Sequence, residues 1–96
     1  MPFIQIISFS TSRFEEGDKL VAQYRADLGD RSKARRATIC KDHDQANRYA
    51  TIVEFDSYED AMANSAMPET DALSKALASL ADGPPTFMNL EVIRSE

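Results

Sequence analysis

Ninety-six residues make one domain, and a chain of this length buries only about 60–65% of the surface it exposes when unfolded, so one small core is the limit. A hydrophobic fraction of 43% with 28% charged residues excludes intrinsic disorder, and a net charge of -5 excludes the basic face that a nucleic-acid binder needs to displace counterions. One cysteine, Cys40, and one histidine, His43, exclude an internal disulfide and an ordinary three- or four-ligand Cys/His zinc site, and this cysteine use fits a reducing, cytoplasmic compartment.

The N-terminal "MPFIQIISFS" is apolar but has no positively charged leader, and it is too short to span a bilayer. It predicts a strand over Phe3–Ser10 buried on both faces, with Gln5 its odd polar member. A helix follows: Ser12 and Glu15 have capping-box spacing, and Phe14, Val21, Tyr24 and Leu28 recur on one face. Gly29 is expected to stop it in a left-handed conformation. The basic run "RSKARR" reads as a solvated loop, because acidic residues surround it and no aromatic is interleaved for base stacking.

Ala34–Asp42 and Asn47–Ser57 each read as a strand, joined by the polar turn "DHDQAN". Asp56 or Ser57 then caps a helix from Tyr58, with Tyr58, Ala61, Met62 and Ser65 as its inward stripe. Proline disfavours the helical conformation in the residue before it, so this helix must end or kink at Met67. Pro68 fits the first position of a renewed helix with Leu73, Leu77 and Leu80 as its stripe, and Gly83 ends it. Phe87–Arg94 is the last strand, apolar on both faces.

The order βαββαβ defines a ferredoxin-like α+β domain with an antiparallel sheet. Two helices on one face of the four strands leave the other face uncovered, yet strand residues of both parities are apolar. A homodimer formed through the open sheet face, giving a dimeric α+β barrel, accounts for this.

The segments "VEFDSYEDAMANSAMPET" and "GPPTFMNLEV", in this element order and length, resemble the antibiotic-biosynthesis-monooxygenase-like family of dimeric α+β barrels. The resemblance implies a homodimer with a small-molecule pocket between helices and sheet. It also implies chemistry of the cofactor-independent oxygenase or cyclase type on an aromatic or polyketide-like substrate, with no cofactor. Oxygenase members often carry an Asn or His on the second helix, and Asn64 matches that position. They also tend to have a nearby Trp, which this chain lacks. Haem-degrading members use a helical His, whereas His43 falls in the hairpin turn, so haem is not expected.

Asn64 is thus the candidate catalytic anchor, with Ser65, Gln5, Tyr58 and Asn89 as candidate substrate-binding residues. A helical wheel puts Ser65 in the middle of the predicted inward stripe and Asn64 about 110° to one side, so the wheel favours Ser65 and the resemblance favours Asn64. Each also has a structural reading: Asn64 as a cap for freed helix-end carbonyls, Ser65 as a small residue permitting close packing. Gln5 and Asn89 can bond each other or orient a ligand. Tyr24 and Tyr58 can orient a substrate or simply pack. Glu54 is a general base if buried, or else the partner of Arg35 or Arg36. No motif for a nucleophilic triad, phosphate loop or metal site is present.

Overall fold

The computed structural model describes residues 1–96. Its elements are β1 (Phe3–Ser10), α1 (Phe14–Leu28), a 3-10 turn (Gly29–Arg31), β2 (Ala34–Lys41), β3 (Arg48–Phe55), α2 (Tyr58–Ser65), α3 (Pro68–Leu80) and β4 (Thr86–Glu91). The four strands form one antiparallel sheet in the order β2-β3-β1-β4, the ferredoxin-like topology with its second helix split in two.

Opposed residues of an antiparallel pair share a face. Phe3, Gln5, Ile7 and Phe9 of β1 therefore lie beside Phe55, Val53, Thr51 and Tyr49 of β3. Phe3 meets the ring of Tyr58 on α2 at 5.5 Å, edge to face, and Tyr49 stacks on Phe14 of α1 at 4.3 Å, which fixes this as the helix-covered face. At its α2 end Phe3, Phe55 and Ala61 are buried together, with Ala34, Val53 and Met62 packed around them.

The opposite face carries Ile4, Ile6 and Ser8, opposed by Ile52 and Ala50 on one side and by Leu90 and Met88 on the other. No element of the chain covers it. The predicted two-sided burial of β1 is accordingly replaced by partial burial from Ile4 onward, and every residue of β4, an edge strand, is exposed. Only six of the 96 residues are buried, so the single chain hides little of its apolar surface.

Several boundaries differ from the sequence reading, β3 among them, which runs Arg48–Phe55 rather than Asn47–Ser57. The predicted Ser12–Glu15 capping box does not form: Arg13 is the N-cap of α1, without a side-chain cap, and pairs instead with Glu16 at 2.6 Å. Buried Thr11 does the local work, accepting from the backbone N–H of Arg13 and donating to the carbonyl of Leu80, which ties β1 to the end of α3. Helix α3 ends at Leu80 rather than Gly83, because the backbone N–H of Asp82 is already bonded to Ser10 at the end of β1. The last strand ends at Glu91 opposite Phe3, with one further backbone bond from the N–H of Val92 to the carbonyl of Pro2.

Gly29 closes α1 at a positive φ of 51°, which a side chain would disfavour, but with ψ of -126° rather than in the expected left-handed helical conformation. Ser57 caps α2 by accepting from the N–H of Asp60, and Pro68 opens α3 after an extended Met67. Gly17 lets α1 approach α3 closely, since a Cβ there would lie 3.3 Å from Cδ2 of Leu77.

Candidate functional site

The break between α2 and α3 determines the surroundings of Asn64. Helix α2 is only eight residues long, and its buried residues are Ala61 and Asn64, whereas Ser65 is exposed. The wheel misplaced the stripe by centring it on Tyr58, which is 53% exposed and meets Phe3 edge to face, and on Met62, which is only half-buried. The buried pair Ala61 and Asn64, about 60° apart on the wheel, sets the inward direction instead.

The Asn64 side chain joins two other segments directly and a third through Tyr24. Its Oδ1 accepts from the backbone N–H of Lys33, just ahead of β2, at 3.3 Å, and its Nδ2 donates to the hydroxyl of Tyr24 on α1 at 3.5 Å. The Tyr24 hydroxyl in turn lies 2.7 Å from Oγ1 of Thr70 in the first turn of α3. Asn64 therefore does not spend its side chain on the carbonyls freed by Pro68. The same junction is tied outside by Arg31 and Glu69 at 2.6 Å. The glutamate's own backbone N–H and then the Arg31 guanidinium hold that carboxyl below its ordinary value of 4.5.

Thr70 was not among the sequence candidates, though a signal existed: it lies three residues before Leu73, a polar side chain on the apolar stripe of α3. The Lys33 contribution is a backbone group and leaves no trace in residue type.

Gln5 and Asn89 are directly opposed on β1 and β4, and Nε2 of Gln5 donates to Oδ1 of Asn89 at 3.1 Å. They share the helix-covered face with Phe3, so the pair is a polar patch on the sheet side of the layer. Glu54 lies on the open face with its side chain 42% exposed and 3.9 Å from Arg36. It is not a buried base. His43 is fully solvent-exposed in the hairpin turn.

Two open concavities lie elsewhere. One, of about 390 Å³, is lined by Ser12, Arg13, Phe14, Glu15, Glu16 and Tyr49 at the start of α1. A smaller one of about 130 Å³ on the open sheet face includes Ser8, Cys40 and Arg48. Neither includes Asn64, Ser65, Gln5, Tyr58 or Asn89. No group of three or more His, Cys, Asp or Glu side chains is placed to hold a metal ion, and no helix is long and apolar enough to cross a membrane.

Topology and element lengths define a ferredoxin-like α+β protein with the fold seen in antibiotic biosynthesis monooxygenases. No family model and no curated protein matches the sequence. Among solved structures the chain is similar to SnoaB, a cofactor-independent oxygenase from Streptomyces nogalater crystallised as an asparagine-to-alanine mutant, with a TM-score of 0.82 at 16% identity over 98% of this chain and 95% of that one. It is similar also to a Caulobacter crescentus CB15 protein provisionally assigned as an antibiotic biosynthesis monooxygenase (TM-score 0.84, 10% identity, 97% and 91% coverage). A conserved protein from Methanosarcina mazei Go1 gives a TM-score of 0.82 at 5% identity, covering 94% of this chain and 91% of that one. At such identities the likeness is one of fold.

Proposed function

We propose that the chain is a small cofactor-independent enzyme of the monooxygenase or cyclase type, acting on an aromatic or polyketide-like molecule bound between helices and sheet. The observation that carries this reading is Asn64: a carboxamide 8% exposed, placed at a helix break and held by groups from two other segments. Fixed polar groups in apolar surroundings are what such chemistry needs, because they stabilise charge on a reacting oxygen without reorganising. In the oxygenase case the substrate supplies the electrons: a phenol with a para hydrogen and O2 give a quinone and water, and the protein's task is to favour the phenolate. Asn64 is the anchor in this reading. The Gln5–Asn89 pair supplies polar contacts from the sheet side, and Ser65 and Tyr58 supply them from the exposed rim of α2.

The active form in this proposal is a cytoplasmic homodimer joined through Ile4, Ile6, Ile52, Met88 and Leu90. Support comes from the apolar character of that uncovered face and the small buried core of the single chain.

A second reading is a non-catalytic metabolite-binding or accessory dimer. It is favoured by one observation: neither of the two open concavities described above reaches Asn64, whose two polar atoms already have partners within the chain. Native mass spectrometry of the purified protein separates the two. The enzyme reading predicts a small aromatic molecule retained by the wild type and lost from Asn64→Ala, whereas retention unchanged by that substitution supports the second reading.

A further inference from the structure

We propose that Tyr24 is a positioning residue for Asn64: with the backbone N–H of Lys33 it turns the carboxamide so that it offers a hydrogen-bond donor, making the site selective for an oxyanion such as a phenolate or enolate. This inference rests on the small-molecule reading of the Asn64 site. Its logic begins with a group that has no choice. A backbone N–H can only donate, so the Asn64 atom 3.3 Å from the Lys33 nitrogen must be the carbonyl oxygen. The reverse orientation would set an NH2 group against an N–H.

With Oδ1 so assigned, the amide nitrogen faces Tyr24, whose oxygen accepts from it at 3.5 Å. The Tyr24 hydroxyl is itself oriented by Thr70 at 2.7 Å. When Thr70 takes the tyrosine proton, the free lone pair of Tyr24 is left for Asn64. The amide nitrogen carries two hydrogens and has one partner in the chain, so in this proposal the second is the donor offered to a ligand. A hydrogen bond to the charged form of a phenol favours ionisation, and a donor-only contact gives nothing to an ammonium group.

The four groups come from α1, the segment before β2, α2 and α3, so the carboxamide is set at the junction Pro68 creates. Charged residues flanking these groups along their own segments include Arg25, Asp27, Arg31, Lys33, Asp60, Glu69 and Asp71. Arg31 and Glu69 are paired with each other at 2.6 Å, and Lys33 is exposed.

Titration of para-nitrophenol in the presence of the protein tests the inference, since phenolate and phenol differ in visible absorbance. Bound to the wild type, the probe should ionise about one pH unit below its free value, a tenfold preference for the anion. Tyr24→Phe should lose most of that shift, and Thr70→Val should lose part of it while Thr70→Ser retains it. Asn64→Asp, which keeps an acceptor for Lys33 but presents a carboxylate, should move the midpoint upward. Circular dichroism establishes that each variant is folded. A folded Tyr24→Phe with the full wild-type shift overturns the positioning role and leaves the small-molecule reading standing. Equal behaviour of Thr70→Val and Thr70→Ser overturns it independently should Tyr24→Phe not fold. No shift with the wild type overturns the underlying reading as well.

Discussion

Replacing Asn64 by alanine isolates the node that joins the helices. The change leaves the half-buried N–H of Lys33 without its acceptor, and an unsatisfied buried donor costs about 1–3 kcal/mol. The lost contact to Tyr24 is long at 3.5 Å, and Tyr24 keeps its bond to Thr70, so that loss is small. Alanine returns about 0.5 kcal/mol through its helix propensity. The net expectation is a loss of about 1–2 kcal/mol, which for a domain of this size lowers Tm by about 8 °C. Asn64→Asp should lose less, because its carboxylate still accepts from Lys33. Ser65→Ala, at an exposed position one residue on, should stay within about 0.5 kcal/mol of wild type. Urea unfolding followed by circular dichroism measures all three, at one protein concentration because association contributes to apparent stability. Asn64→Ala within 0.5 kcal/mol of wild type, or Ser65→Ala the more damaging of the two, would refute the assignment of the node.

Three further substitutions test other parts of the account. Gly17→Val should cost about 1–3 kcal/mol in the same assay by driving α1 off Leu77, while Gly17→Ala should be near neutral because a flexible leucine end can yield. Met88→Asp, at a site 53% exposed on the uncovered face, should convert the proposed dimer to a folded monomer in sedimentation experiments. Glu69 bears on acid stability: its carboxyl titrates lower in the folded chain than in the unfolded one, so its contribution is present above 4.5 and lost as pH falls through the depressed folded value. Glu69→Gln should therefore flatten the acid limb of a stability profile in that window and leave the neutral region's slope unchanged.

Much of the fold was legible because its signals are local. The β-branched run of β1 and the apolar spacing of α1 were read to within a residue or two, and Pro68 marked the break because its ring and missing N–H act on the adjacent residues alone. The failures involve competition between distant groups. The Ser12–Glu15 spacing suited a capping box, but Thr11 reached Leu80 and the N–H of Arg13, and Arg13 took Glu16. The wheel could not show that Tyr58 lies at the rim. Gln5 and Asn89 were visible as polar strand residues, but only the register of β1 with β4 brings them into contact. At the candidate site, Asn64 was legible from the helix break and the family resemblance, whereas the backbone N–H of Lys33 was not.

The central claim is that this chain turns over an aromatic substrate using no cofactor, through Asn64. Oxygen uptake measured with an electrode, in chelator-treated buffer on a panel of polyphenols, tests it most directly. The account predicts consumption above the buffer rate for at least one phenol, with one quinone formed per O2 consumed, and near-complete loss in a folded Asn64→Ala. Uptake no faster than buffer across the panel, or uptake undiminished in that variant, would contradict it.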